Sequence, residues 1–165
     1  MNMVNSIRRQ LLKAVTMLAL AALVILGAGA VPAQAASPTG AEIIRLTNQE
    51  RQKAGLAPLA ENATLDSVAE NYAALMAQRQ QLGHRLDGTS PGDRLTAAGY
   101  RWSSYGENIA ENYADAGAAV QGWMNSPGHR ANILDPNVTQ IGVGVAYSSA
   151  GVPYYCQVFA QPAGW

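Results

Sequence analysis

The chain has 165 residues, of which 48% are hydrophobic, and its 11 basic and 11 acidic residues give a formal net charge of zero. This length and hydrophobic content suit one globular domain. The chain has no basic cluster of the kind that nucleic-acid-binding proteins use, so we expect no nucleic-acid partner. The single cysteine, Cys156, excludes an internal disulfide, and the fold must therefore depend on its hydrophobic core.

The first 35 residues have the features of a secretory signal peptide. Arg8, Arg9 and Lys13 form a positive segment, residues 14–31 are almost wholly apolar, and residues 33–35 read Ala-Gln-Ala, an A-x-A cleavage site. Cleavage after this site leaves a secreted mature chain, extracellular or periplasmic, with a net charge of −3 and no stable membrane anchor. The alternative is a retained anchor, since about 18 apolar residues is near the lower limit for spanning a bilayer.

Apolar residues that recur every three or four positions predict helices in the first part of the mature chain. A short polar lead over residues 36–40 precedes the first helix, in which Thr39 and Glu42 have the spacing of a capping box and Gly55 is the stop. Asn62 is the expected cap of the second helix, whose apolar stripe predicts one buried face. The predicted helices cover residues 41–55, 62–82 and 90–99, and a fourth begins near residue 115.

The C-terminal part has the alternation of a β-hairpin. Residues 140–147 alternate between β-branched residues on one face and glycine or alanine on the other, and a second strand over 154–161 follows a short loop. Gly142 and Gly144 leave one face bare, so either a helix or a ligand approaches the sheet closely there. A further strand is predicted over 100–105. Helices first and an antiparallel pair last indicate an α+β fold with helices layered on a sheet.

Residues 123–134 (WMNSPGHRANIL) predict the end of one helix, a tight turn and a second short helix. Ser126 followed by Pro127 is a helix-start signal, with the Ser126 side chain as the cap. His129 falls in the first turn, where free N–H groups and the helix dipole favour a neutral imidazole over a charged one. The other residues of the motif, Gly128, Arg130 and Asn132, continue the turn until Asp135 and Pro136 stop it.

His84, Glu107 and His129 are the residues most suited to chemistry. Two imidazoles and a carboxylate are the ligands that Zn²⁺ or another divalent cation with an open coordination position requires. Each lies at a glycine-bearing turn or helix end, where binding side chains are often presented. Their spacing of 23 and 22 residues matches no short metal motif, so the alternative is that each histidine satisfies backbone groups at its own helix end.

Neighbouring residues have simpler interpretations. An alternative role for Glu107, shared with Asn108, is to hold a loop by binding backbone amide groups. Cys156 lies inside a predicted strand, where burial keeps a thiol inert. Ser126 is better explained as a helix cap than as a nucleophile paired with His129. The residues therefore give little support to nucleophilic catalysis.

Several motifs taken together resemble the CAP superfamily, which includes cysteine-rich secretory proteins, insect antigen 5 and plant pathogenesis-related proteins. The resemblance is closest to its short bacterial secreted branch, covers residues 41–161 and assigns residues 41–165 to one CAP (SCP-like) domain. The ordered motifs are Asn48-x-x-Arg51-x-x-x-Gly55-Leu56, Gly83-His84, Asp87-Gly88, Arg94, Gly106-Glu107-Asn108-Ile109-Ala110, the 123–134 segment and Ile141-Gly142-Val143-Gly144.

The resemblance implies a three-layer α-β-α sandwich with a central antiparallel sheet. It also implies a cavity of two histidines and two acidic residues, which in some members binds zinc or another divalent cation. His84 and Glu107 match the first histidine and one acid of that pattern, and His129 belongs to the motif of the bacterial branch. The second histidine of eukaryotic members is absent from residues 137–140, and their second acid appears here as Asn125 or Ser126.

Family members bind sterols, fatty acids or glycans, or act as extracellular signals. The resemblance therefore implies a monomeric extracellular binding module for a small apolar ligand, a glycan or a protein partner, with a weak divalent-metal cavity. One alternative is a metal-dependent hydrolase or protease, in which His84, Glu107 and His129 hold the ion and a bound water is the nucleophile. Another is a structural module associated with the cell envelope.

Overall fold

The computed structural model describes residues 36–164, so the predicted signal peptide lies outside the described residues. Within this part, no helix is both long and apolar enough to cross a membrane. The described elements are α1 (Pro38–Lys53), β1 (Ala60–Glu61), α2 (Ala63–Arg79), α3 (Pro91–Ala97), β2 (Trp102–Glu111), α4 (Ala116–Asn125), α5 (Pro127–Ile133), β3 (Gln140–Tyr147) and β4 (Pro153–Pro162).

The four described strands form one sheet in the order β1-β3-β4-β2. β4 lies between β3 and β2 and pairs antiparallel with both, so the predicted antiparallel hairpin is confirmed. The two-residue strand β1 differs from the expectation, because it runs parallel to β3. It enters the sheet directly before Asn62, the residue that caps α2, so its direction follows from how the chain leads into that helix.

Helices cover both faces of the sheet, which confirms the predicted α-β-α sandwich. On one face, α2 and α3 bury a core that includes Tyr72, Met76 and Leu95 against β4. On the other, α1, α4 and α5 bury a second core that includes Ile43 and Trp123 against β3. The inward residues of the two strands alternate between these cores, as expected for a sheet buried on both sides.

The bare glycine face of β3 is covered by a helix. A Cβ atom added at Gly142 would overlap the backbone of Leu65 and Asp66, and one at Gly144 would overlap the backbone of Ala69 and Glu70. The backbone of α2 therefore lies directly on the strand. Of the two alternatives that the sequence left open, a helix or a ligand, the structure has the helix.

Three of the predicted helix starts are confirmed by their caps. Asn62 accepts hydrogen bonds from the N–H groups of Thr64 and Leu65. Ser90 and Asp93 form a reciprocal capping box at the start of α3, and the side chain of Asp115 accepts from the Ala118 N–H at the start of α4. Short polar side chains that satisfy orphan amides thus fix where these helices begin.

Two boundaries differ from the prediction. α1 begins at Pro38 and not at residue 41, because Ser37 caps it by accepting from the Gly40 N–H and proline suits the first turn; the polar lead is correspondingly shorter. β2 extends from Trp102 to Glu111, so Glu107 and Asn108 lie in a strand and not in a loop. Buried polar residues hide the alternation by which strands are usually recognised.

Candidate functional site

Three different elements present the predicted site residues. Glu107 lies in the middle of β2, opposite Val158 of β4. His84 lies in the loop after α2, which leaves that helix through Gln80 in the left-handed conformation (φ 50°). His129 lies in the first turn of α5. The site is therefore built where one loop and one short helix meet the edge strand of the sheet.

Both oxygens of the Glu107 carboxylate are engaged. Oε1 lies 2.8 Å from Nδ1 of His84, and Oε2 accepts from Nη2 of Arg94 at 2.5 Å. The buried thiol of Cys156 also lies 3.6 Å from Oε2. A carboxylate whose side chain is only 2% exposed is thus held between a guanidinium and an imidazole.

Arg94 organises the loop that carries His84. Its guanidinium lies 3.5 Å above the ring of Tyr72, and its Nη1 donates to the backbone carbonyls of His84 and Thr89 at 3.2 Å each. Asp87 lies 3.8 Å from the same nitrogen. One side chain therefore neutralises Glu107 and fastens the loop. The sequence offered Arg94 only as a residue of the resemblance, with no role.

Tyr72 supports the same loop from the core. Its hydroxyl donates to the carbonyl of Gly83 at 2.5 Å and accepts from the N–H of Leu86 at 3.1 Å. The sequence placed Tyr72 only in the apolar stripe of its helix, because the periodicity of a helix reports the body of the ring and not its hydroxyl. The position of His84 is thereby fixed from both sides of the loop.

A chain of side-chain amides fastens α5 to β2. Nδ2 of Asn108 donates to the carbonyl of His129 and to Oε1 of Gln157, each at 3.1 Å. Nδ2 of Asn132 donates to Oδ1 of Asn108 at 2.8 Å, and Gln157 donates in turn to Thr47 at 2.7 Å. The motif residues Asn108 and Asn132 therefore hold the backbone of His129 against the strand that carries Glu107.

His129 is a half-buried imidazole. Burial lowers its pKa below the ordinary value, and the charge that His84 can carry lowers it further. The direction agrees with the neutral imidazole expected from the helix start, although its causes are burial and the charge of His84. Glu107 contacts His84 directly, and Asn108 and Asn132 bond the backbones of His129 and Glu107, so the structure brings the three predicted residues into one neighbourhood.

The remaining residues of the motif do not reach this neighbourhood. Ser126 occupies the cap position of α5, but its side chain makes no capping bond; its N–H closes α4 on Trp123 instead. Arg130 is exposed and lines a shallow depression beside Met124. Gly128 is also exposed, and a Cβ there would meet nothing within 4 Å. The predicted capping role of Ser126 is therefore wrong.

The donor set does not fit a divalent cation. Both oxygens of Glu107 already have partners, and the guanidinium of Arg94 on one of them would repel a metal ion. Within residues 36–164, no group of three or more His, Cys, Asp and Glu side chains is arranged to hold a metal. An internal cation, Arg94, already supplies the positive charge that this carboxylate requires.

Two possible nucleophiles are engaged elsewhere. Residues 88–92 read Gly-Thr-Ser-Pro-Gly, the G-x-S-x-G pattern of hydrolases, but the hydroxyl of Ser90 is bonded to Asp93 at 2.6 Å in the helix cap. Cys156 is completely buried. Burial, and next the charge of Glu107, raise the pKa of its thiol, so the inert thiol predicted from the strand is what the structure contains.

Comparison with known proteins places this arrangement in a family. The sequence profile of the cysteine-rich secretory protein family, CAP, matches residues 44–159. The chain is 40% identical over 110 residues to the uncharacterized protein YkwD of Bacillus subtilis, which is 66% of this chain and 43% of YkwD.

Solved structures show the same fold. An extracellular protein of Bacillus anthracis that contains an SCP domain has a TM-score of 0.69 at 34% identity, over 74% of this chain and 40% of that protein. An outer surface protein of Borrelia burgdorferi also has a TM-score of 0.69, at 22% identity, over 73% of this chain and 90% of its own. This chain thus spans less than half the length of YkwD and of the Bacillus anthracis protein.

Proposed function

This chain belongs to the cysteine-rich secretory protein (CAP) family, and we propose that it is a secreted, monomeric module that binds a hydroxyl-bearing ligand of the glycan class through His84 and His129. Two relatives support the location, since one is an extracellular protein and the other an outer surface protein. The A-x-A motif at residues 33–35 supports it independently.

The observation that carries the proposal is the difference in solvent exposure between His84 and the two side chains that hold it in place, Glu107 and Arg94. The side chain of His84 is 49% exposed, whereas those of Glu107 and Arg94 are 2% and 10% exposed. Removing two charges from water costs several kcal/mol per ion, and their mutual attraction rarely returns more than that cost. The network is therefore better explained by the accessible imidazole that it positions than by stability.

The chemistry of the exposed ring indicates the ligand class. Because a carboxylate paired with Arg94 accepts hydrogen bonds, Nδ1 of a neutral His84 carries the proton, and Nε2 is left as an acceptor. His129 adds a second, neutral imidazole. Arg94 also compensates the charge of Glu107. Two imidazoles whose ring nitrogens donate and accept hydrogen bonds suit a ligand rich in hydroxyl groups.

An apolar ligand is less well matched. The depression beside the 123–134 motif is lined mainly by apolar atoms of Met124, Pro127, Ala131 and Leu134. It lies open to solvent on the outer side of α4 and α5 and does not include either histidine. Sites for small apolar ligands usually bury most of the ligand, which an open depression does not do.

Isothermal titration with a hexamer of β-1,4-linked N-acetylglucosamine tests the proposal. We expect saturable binding by the wild-type protein, and at least about tenfold weaker binding by His84→Ala and His129→Ala, because each loses one or more hydrogen bonds to the sugar. Lys53→Ala, at the exposed C-terminal end of α1, is the control and should bind as the wild type does. No heat of binding, or equal affinity in all four proteins, would rule out a glycan site at the two histidines.

The His84–Glu107 pair also favours one second function, hydrolysis. An imidazole whose Nδ1 donates to a carboxylate is oriented as a general base, so Nε2 of His84 would take a proton from a water molecule that attacks the bound ligand. Mass spectrometry of the same sugar after long incubation separates the two functions. Shorter products that disappear with His84→Ala indicate an enzyme, and an unchanged hexamer indicates binding alone.

A further inference from the structure

A second network of carboxylates lies away from the histidines, beside β1 and β3. Asp66, in the first turns of α2, is completely buried. Its Oδ1 accepts from the N–H of Val143 on β3 at 2.9 Å. No described donor reaches its Oδ2, but the carboxyl groups of Asp66 and Glu61 are hydrogen-bonded to each other when one of them holds a proton. Burial, followed by the charge of Glu61, this shared hydrogen bond and the charge of Glu70, raises the pKa of Asp66 to about 7 against the opposing effect of the Val143 bond. This corner therefore holds carboxyl groups that share a proton.

The first described residue lies at this corner. The backbone nitrogen of Ala36 donates to Oε1 of Glu61 at 3.1 Å. A Cβ added at Gly40 would lie 3.0 Å from the Cβ of Ala36 and 3.3 Å from the carbonyl oxygen of Val143. Gly40 of α1 therefore lies between Ala36 and the carbonyl of Val143, the residue of β3 whose N–H is bonded to Asp66.

We infer that this corner is a binding site for the new amino terminus created when the predicted signal peptide is removed after residue 35. Cleavage hydrolyses the Ala35–Ala36 peptide bond with one water molecule, catalysed by a signal-peptidase-type protease. Ala35 leaves as a carboxylate, and the Ala36 nitrogen becomes an α-ammonium group. A neutral amide that donates one hydrogen bond to Glu61 is thus converted, at the same position, into a cation with three N–H donors.

The α-ammonium group brings a positive charge to this group of carboxyls. An α-ammonium pairs with the Glu61 carboxylate by a charge-assisted hydrogen bond, and Glu61 is the carboxylate that acts on the buried Asp66. An acidic cluster alone would not indicate a ligand. The Asp66 oxygen that no described donor reaches, together with the contact of the Ala36 nitrogen with Glu61, identifies the amino terminus of this chain as the group that fits. The inference rests on the predicted cleavage and is independent of the site at His84.

The test uses the protein purified from the culture medium of a secreting host. Intact mass and amino-terminal sequencing identify the first residue, which should be Ala36. Competitive labelling of the α-amine across pH then gives its pKa, which we expect about half a pH unit above the ordinary 7.7–8.0. In Glu61→Gln the value should return to the ordinary range. In Glu50→Gln, which removes an exposed partner of Lys53 instead, it should stay raised.

A second test of the inference measures the stability of the fold after the α-amine is acetylated. Acetylation of the α-amine should lower the unfolding midpoint of the wild-type protein but leave that of Glu61→Gln unchanged. Glu61 is exposed, so this variant is expected to fold. A different first residue, an ordinary pKa of the wild-type α-amine, or an equal effect of acetylation in both proteins would each overturn the inference.

Discussion

Replacing Gly144 with alanine is expected to destabilise the fold by at least about 3 kcal/mol, a large fraction of the roughly 5–15 kcal/mol by which folded domains are stable. The added methyl group would overlap the backbone of Ala69 and Glu70 in α2. A flexible side chain could rotate away from such an overlap, but here the helix itself must move from the sheet. The movement would open the core that contains Tyr72 and Met76. Urea denaturation followed by circular dichroism measures the loss.

Gly128→Ala is the matched control for this substitution. Gly128 is also in regular structure, but it is exposed and its Cβ would meet nothing within 4 Å. Alanine has the higher helix propensity by about 0.5–1 kcal/mol, so this variant should be equal to or slightly more stable than the wild type. Equal stability of Gly144→Ala and Gly128→Ala would contradict the close packing of α2 on β3.

Replacing Arg94 with methionine is expected to cost about 3–5 kcal/mol, because it leaves the Glu107 carboxylate buried without its cation. The loop that carries His84 would also lose its bonds from Arg94 to two carbonyl groups. Denaturant unfolding measures the stability. Arg45→Met, which removes an exposed partner of Glu42, is the control and should change stability little, because surface pairs are solvated.

A double variant separates the value of the ion pair from the cost of breaking it. When Arg94→Met is combined with Glu107→Leu, no unpaired charge remains buried, and we expect at least half of the lost stability to return. The affinity for the sugar should nevertheless stay low, since His84 has lost the carboxylate that orients it. A double variant less stable than Arg94→Met alone would mean that the network exists for stability, against the proposed function.

Most of the fold could be predicted from the sequence because the strongest signals for its elements are local. The alternation over residues 140–147 identified β3 and its bare face, and Asn62, Ser90 and Asp115 marked three helix starts through their own caps. The strand around Glu107 could not be predicted from such local signals. Its side chains bind Arg94, His84 and other partners that are distant in sequence, so its pattern of polarity is set by tertiary contacts and not by the period of a strand.

The candidate site was likewise predictable only in part from the sequence. His84, Glu107 and His129 were identified because histidine is rare in this chain, with two in all, and because glycines flank each residue. The roles of Arg94 and Gln157 were not predicted. Arg94 acts on a carboxylate 13 residues away, and Gln157 occupies an ordinary inward position of a strand. Only the fold reveals that these side chains complete the networks around the two histidines.

Nitrogen-15 NMR of the two imidazoles tests the central claim most directly, because the chain contains only two histidines. In its neutral form, His84 should carry its proton on Nδ1 and none on Nε2, and the N-acetylglucosamine hexamer should shift that Nε2 signal. The midpoint of the His129 titration should lie below about 6.5, since burial lowers its pKa. A proton on Nε2 of His84 would contradict a binding site built on the His84 imidazole. Nitrogen signals of both rings that do not shift when the sugar is added would contradict it as well.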